Sequence, residues 1–152
     1  MTEARIGWGG KVYLGTSAME SSLTQLMEVV DCTFPQDTVD EVDVTHLLSP
    51  GRRKEFIAGL IDAGEVTVTL NYVPGSATDL LLTDAKELGT TRSVRFEIPD
   101  TTGTGSIDWN FTTSGFVKKY APDKMEPSAK ITATAILRIT GAQQQGTGAS
   151  GS

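Results

Sequence analysis

Apolar and polar side chains alternate strictly along residues 65–72, and this segment gives the firmest local prediction in the chain. Val66, Val68, Leu70 and Tyr72 fall on one face, and glutamate, threonine and asparagine side chains occupy the positions between them. Successive side chains of a β-strand point to opposite faces of the sheet. The pattern therefore predicts a strand with one face in the core.

The segment before this strand carries a turn signal. A short apolar run, residues 56–61, ends at Asp62 and Ala63, and Gly64 can adopt the positive φ that a tight turn needs. The run and the strand are therefore predicted to form a β-hairpin.

A helix is predicted after Pro74-Gly75. Ser76 and Asp79 have the spacing of a capping box, and a carboxylate is favoured near the positive end of a helix. Gly89 occupies the position at which a left-handed residue commonly ends a helix. The side predicted to face the core consists of Leu81, Ala85 and Leu88.

Further segments with the composition or alternation of strands bring the predicted total to about eight strands and one helix. They are Lys11–Leu14, Leu26–Thr33, Ser93–Pro99, Ile107–Phe111, Gly115–Tyr120 and Lys130–Thr140. This content predicts a mainly β fold of the α+β class, a sandwich or barrel with the helix on one side. The predicted core contains Val66, Val68, Leu70, Tyr72, Phe96, Trp109, Phe111 and Leu137.

Length and composition indicate one domain. A chain of 152 residues can bury a substantial core. Residues 1–140 are predicted to form this domain, and the glycine, serine and glutamine residues of 141–152 are predicted to be disordered. No membrane span or signal peptide is expected, so the protein is predicted to be soluble and made inside the cell.

The segment between residues 34 and 54 is predicted to be a long irregular connection with segregated charges. Such length is typical of a functional or a disordered loop. The two interpretations left open are a solvated surface loop and an intersubunit arm whose ends meet opposite charges on neighbouring subunits. The charged residues are Asp37, Asp40, Glu41 and Asp43, followed by Arg52, Arg53 and Lys54.

No catalytic or metal site is expected from the motifs. The aspartates of the long connection lack the alternating spacing and the central glycine of a calcium loop. His46 has no second histidine or thiol at ligand spacing, and Cys32 is the only cysteine. We therefore expect no enzymatic activity, no cofactor and no metal.

The net charge of −6 bears on whether the protein binds nucleic acid. Proteins that grip nucleic acid do so with clustered lysine and arginine, which release counterions from phosphate. The acidic balance therefore argues against tight DNA binding. The alternative left open is that it serves solubility alone.

Two segments carry a resemblance to a known family. SPGRRKEFIAGLIDAGEVTVTLNY, residues 49–72, and RFEIPDTTGTGSIDWNFTTSGFV, residues 95–117, resemble the major tail tube proteins of long, flexible-tailed bacteriophages of the phage lambda type. The resemblance runs from about Gly7 to Gly141. It implies a β-sandwich or barrel flanked by a helix. The outer immunoglobulin-like domain of the lambda version is not expected here.

The resemblance also implies function and partners. Six subunits would close into a ring, the rings would stack into a tube in the virion, and DNA would pass through the channel without specific binding. Other tail proteins, namely the tape measure, tip and terminator, would be partners. Two alternatives stay open: a terminator or tip ring of similar fold, and a β-sandwich module that binds carbohydrate or a receptor through Trp8 or Trp109.

Overall fold

The computed structural model describes residues 9–17, 23–100 and 107–147, and this part of the chain contains ten β-strands and one α-helix. The prediction of a mainly β fold with one helix is confirmed. The strands are β1 (Lys11–Gly15), β2 (Leu23–Gln25), β3 (Val29–Cys32), β4 (Thr38–Asp43), β5 (Phe56–Asp62), β6 (Glu65–Asn71), β7 (Arg92–Pro99), β8 (Ile107–Pro122), β9 (Thr132–Ile139) and β10 (Gln144–Thr147), and the helix α1 is Ala77–Leu88.

Eight of these strands form one antiparallel sheet in the order β2-β1-β7-β8-β9-β6-β3, with β10 also paired to β8. The long strand β8 organises the sheet, because its first half pairs with β7 and its second half pairs with β9. Gly115 marks the changeover, since it is opposite both Arg92 of β7 and Ile139 of β9. The sheet therefore has two offset layers that share one strand.

The core lies between these layers and under the helix. Phe34, which follows β3, bridges the layers, with its ring 5.5 Å from Phe96 and 5.6 Å from Phe111. Of the side chains predicted to form the core, Val66, Val68, Leu70, Phe96 and Leu137 are buried, and Tyr72, Trp109 and Phe111 are half-buried.

The helix begins and ends where the sequence predicts. Ser76 Oγ accepts a hydrogen bond from Asp79 N–H, and Gly89 has φ of 64°. The predicted core-facing side is partly wrong: Leu82 and Ala85 are buried, whereas Leu88 is exposed.

The predicted hairpin between residues 56–61 and 65–72 is wrong. Both edges of β6 are occupied, one by β3 and the other by β9, and β5 pairs with β4 instead. Gly64 does have a positive φ of 75°, but the turn connects two different sheets. Alternation identifies the buried face of a strand, and it does not identify the neighbouring strand.

The connection predicted to be irregular from residue 34 to residue 54 contains β4 and a short 3-10 helix, Pro50–Arg52. Acidic residues are depleted in strands, which hid β4 from the sequence analysis. It forms because the apolar run of β5 needs a hydrogen-bonding partner.

Three other boundaries differ from the predictions. The segment 26–33 is divided, because Leu26 turns inward and Glu28 adopts a left-handed φ of 62° between β2 and β3. The strands predicted at 107–111 and 115–120 are one continuous strand. Disorder from residue 141 is wrong for Gln144–Thr147, which extends along the edge of β8 as β10. Residues 1–8, 18–22, 101–106 and 148–152 lie outside the described residues.

Candidate assembly surfaces

A separate two-stranded hairpin projects from the sandwich. We call residues 38–62 the arm; it consists of β4, a tip of residues 44–55 and β5. Within the described chain, β4 and β5 pair only with each other. All six residues of β4 are exposed, and so are those of β5 except Gly59.

The arm exposes apolar side chains on both faces. The pair Val39 and Ile61 lies on one face, and the pair Val42 and Ile57 lies on the other, because Val42 comes three positions after Val39 along β4. An irregularity in the pairing inserts one extra residue into β5 and keeps the two isoleucines in step with the valines. An isolated two-stranded hairpin is marginally stable at best in water, and contiguous exposed apolar surface marks an interaction site. The exposed large apolar residues of the arm are Val39, Val42, Val44, Leu47, Leu48, Phe56, Ile57, Leu60 and Ile61.

Local hydrogen bonds order the tip and leave its leucines outside. Ser49 Oγ accepts from His46 N–H at 2.9 Å and donates to Glu55 Oε2 at 2.7 Å. His46 Nδ1 accepts from Leu48 N–H at 3.1 Å. Leu47 and Leu48 are left 104% and 85% exposed, so neither leucine packs against the body of the subunit.

The charged residues predicted for the arm lie along it without meeting one another. Asp40, Glu41 and Asp43 are on β4, and the basic residues 52–54 end the tip. Hydrogen bonds from the hydroxyl and N–H of Thr45 lower the pKa of Asp43. No ion pair among the described residues engages the three basic side chains, which therefore remain available to another molecule.

The base of the arm is tied to the body by polar contacts. Asp37 Oδ1 accepts from Gln143 Nε2 at 3.0 Å, and Asp62 Oδ1 accepts from Gly64 N–H at 2.9 Å and from Arg138 Nη2 at 2.7 Å. The Gly64 N–H and the Arg138 guanidinium lower the pKa of the Asp62 carboxyl. These contacts fix where the arm leaves the sandwich.

A second surface is the outer face of the layer formed by β3, β6, β9 and the second half of β8. Threonine, asparagine and isoleucine side chains occupy its centre, and two of its cations are paired within the subunit. Lys119, opposite Ile136, is exposed and takes part in no ion pair among the described residues. Lys118 Nζ lies 2.6 Å from Glu65 Oε1, and Arg138 Nη2 lies 2.7 Å from Asp62 Oδ1. The central residues are Thr67, Thr69, Asn71, Thr132, Thr134 and Ile136.

The opposite outer face, on β1, β7 and the first half of β8, consists of buried and half-buried residues. Glu97 is 3% exposed and Asn110 is 8% exposed, although their alternation with apolar residues predicts a solvated side. The accessible polar face of the subunit is therefore the threonine-rich one.

The described residues contain no group of three or more histidine, cysteine or acidic side chains that could hold a metal ion. No helix within them is long and apolar enough to cross a membrane. Of the tryptophans considered for carbohydrate binding, Trp109 is a half-buried residue of β8 opposite Ile98, and Trp8 lies outside the described residues.

Apolar side chains are the main feature of the arm, whereas the sequence predicted only its charged residues. The run of residues 56–61 was the available signal, but its apolar character indicated a buried strand. The four predicted acidic residues and the three predicted basic residues all belong to the arm or its base.

Comparisons with known proteins agree on the fold. A family model described as "Lambda phage tail tube protein, TTP" matches residues 10–144. No curated protein matches the chain. The tail of an empty GTA particle, computed with helical refinement and C6 symmetry, has a TM-score of 0.70 at 15% identity, covering 93% of this chain and 98% of that chain.

Two further solved structures are similar. The SPP1 tail tube, from solid-state NMR and cryo-EM, has a TM-score of 0.66 at 10% identity over 95% of this chain and 80% of that chain. The sheath-tube complex of the PVC extracellular contractile injection system has a TM-score of 0.70 at 9% identity over 95% and 92%. Likeness at this identity shows the shared fold alone.

Proposed function

This chain belongs to the lambda phage tail tube protein family and is a structural subunit of the tail tube in the virion, and we propose that six copies close into a ring and that stacked rings enclose a channel for DNA. The similar GTA tail was computed with C6 symmetry, which supports a sixfold ring. The subunit assembles with further copies and with other tail proteins.

The arm is the observation that carries this proposal. A hairpin with exposed valine, isoleucine and phenylalanine side chains leaves contiguous apolar surface in water, which is typical of an interaction site. Neighbouring subunits that cover both faces remove this surface from water, so the arm is an assembly element that completes its folding in the tube. Its basic and acidic residues then select the register of the contact.

The sheet also offers two edges for closing a ring. β3 ends the sheet on one side, and residues 116–122 of β8 have no pairing strand on the side opposite β9 among the described residues. Pairing β3 of one subunit with this edge of the next would continue the layer around the ring. Such a contact joins two different surfaces and therefore closes head to tail.

The threonine-rich face suits a channel wall for DNA. A wall with free lysine or arginine would hold phosphates by releasing counterions, whereas paired cations leave little to attract them. Lys118 and Arg138 each face a carboxylate of their own subunit, so of the cations on β8 and β9 of this face Lys119 is the one left without an ion pair among the described residues. DNA would therefore slide along this face during ejection. Its role, like that of the whole subunit, is structural rather than catalytic.

Substitution of the arm tests this function. Ile57→Asp combined with Ile61→Asp places a charge on each apolar face, and we expect the purified protein to remain monomeric at concentrations at which the wild type forms rings and tubes in negative-stain electron microscopy. Leu80→Asp, at a leucine of α1 that is 61% exposed, is the matched control and should assemble normally. Normal tubes from the arm variant would refute the assembly role. Wild-type rings that never stack would instead indicate a terminator or tip ring.

A further inference from the structure

We propose that the arm tip of one subunit docks on the opposite end of a subunit in the adjacent ring, with Arg52 of the tip against Glu28 of the second copy. This inference rests on the proposed function and names the two surfaces that stack the rings. We call the receiving surface the distal end and define it as residues 27–28, 71–73 and 123–125.

The subunit has two different ends along the direction of β6. The arm joins the body at Gly64, directly before β6 begins at Glu65. Asn71, the last residue of β6, comes seven residues after Gly64 and lies about 23 Å from it at the usual rise of a strand. The arm and the distal end are therefore at opposite ends of one sandwich.

Hydrogen bonds gather the distal end around Asn71. Its N–H donates to the carbonyl of Glu28 at 2.9 Å, and its Nδ2 donates to Glu28 Oε2 at 2.9 Å. Asn71 is also opposite Thr132, whose hydroxyl donates to Asp123 Oδ2 at 2.8 Å. Glu28 and Asp123 thus flank the end of β6 as a pair of carboxylates.

The two ends are complementary in charge and in apolar character. The distal end presents these carboxylates beside Met27, Val73 and Met125, which are 58%, 46% and 83% exposed. Lys124 is the one cation within the defined distal end, and it is paired with Glu126 at 2.8 Å. The tip presents the protruding Leu47-Leu48 pair and the three cations of residues 52–54. Methionine side chains are flexible and adapt to an incoming apolar group.

Backbone conformation singles out one residue on each surface. Glu28 with φ of 62° and Arg52 with φ of 60° are the two non-glycine residues of the described chain that have positive φ. This conformation is uncommon outside glycine, and such outliers cluster at functional sites. Because the two residues have opposite charges and each lies beside exposed apolar side chains, we infer that they contact each other between rings. A guanidinium can donate two parallel hydrogen bonds to a carboxylate, which fixes the direction of the contact as well as its strength.

A contact between two different ends does not close on itself. Each subunit offers one tip and one distal end, so rings added through this contact form an open stack with one polarity. In this proposal the sheet edges of neighbouring subunits close the ring, and the contact between the tip and the distal end adds further rings to the stack.

Charge exchange tests the pairing. We expect Arg52→Glu and Glu28→Arg each to raise the concentration needed for tubes at least about tenfold, while single rings persist in electron microscopy and sedimentation velocity. The double variant, in which the two charges are exchanged, should restore tubes. Glu28→Gln keeps an oxygen for the Asn71 hydrogen bond, and it should weaken stacking without changing the circular dichroism spectrum.

The exchange of Lys86 and Glu87 on α1 is the matched control and should leave stacking unchanged. These residues form an ion pair of 3.6 Å and belong to neither of the two defined surfaces. Two results would overturn the pairing: wild-type stacking by the Glu28 variants, or a double variant that stacks no better than the single ones. Failure of the proposed function is distinguishable, because the wild-type protein would then form neither rings nor tubes.

Discussion

Tyr120 on β8 donates a hydrogen bond of 2.7 Å from its hydroxyl group to Asp79 Oδ1 in the first turn of α1. The other carboxylate oxygen of Asp79 accepts from Gly75 N–H at 3.0 Å, and Asp79 N–H donates to Ser76 Oγ at 3.2 Å. One acidic residue therefore joins the helix start, the turn before it and the strand that both sheet layers share.

Tyr120→Phe should lower the free energy of unfolding by about 1.5–3 kcal/mol, because it removes a hydrogen bond to a charged acceptor. Urea unfolding measures the change. A double-mutant cycle with Asp79→Asn separates this bond from the helix cap, since the asparagine can still accept from Gly75. If Tyr120→Phe lowers the free energy of unfolding by the same amount with and without Asp79→Asn, the two residues are not coupled.

Alkaline pH should destabilise the fold through its tyrosines. Burial, followed by the hydrogen bond and charge of Glu97, raises the pKa of Tyr13 from 10.0 to about 12. Burial and the hydrogen bond to Asp79 raise the pKa of Tyr120 as well. Because the folded state keeps protons that the unfolded state releases, this stability is complete below pH 10 and falls as the pH rises toward about 12.

Urea unfolding at a series of alkaline pH values checks this slope. Tyr13→Phe should reduce it, since phenylalanine carries no titrating proton in either state. An unchanged slope in that variant would assign the alkaline sensitivity to other groups.

Two leucines of α1 should respond very differently to truncation. Leu82 is fully buried, and Leu82→Ala should cost about 2–5 kcal/mol of unfolding free energy through lost burial and a cavity. Leu80 is 61% exposed, and Leu80→Ala should change stability by less than about 0.5 kcal/mol. Equal effects in thermal or urea unfolding would contradict the helix orientation.

Freeing a lysine side chain on the threonine-rich face from its ion pair should make assembled tubes retain DNA. Glu65→Gln frees Lys118 from its 2.6 Å ion pair, so a phosphate can replace the lost carboxylate. We expect stronger and more salt-dependent DNA binding by assembled tubes, measured by filter retention over a range of salt. Glu87→Gln frees Lys86 on the helix and is the control; equal retention by both variants would show that the face does not line the channel.

Local chemistry in the sequence determined the helix and the buried faces of the strands. Ser76, Asp79 and Gly89 act within one or two turns of the backbone, so their spacing was sufficient to place both helix ends. Alternation from Val66 to Leu70 likewise predicted a buried face, because side-chain direction depends only on the strand itself.

Tertiary structure alone decided which strands are neighbours and which apolar residues stay outside. The run 56–61 has the composition of a core strand, and only its pairing with β4, away from the body, leaves Ile57, Leu60 and Ile61 exposed. Strand pairing joins residues distant in sequence, and it depends on which hydrogen-bonding edges remain free after the rest of the sheet has formed. For this reason the arm's charges could be read from the sequence, whereas the two-sided apolar surface that carries the assembly proposal required the fold.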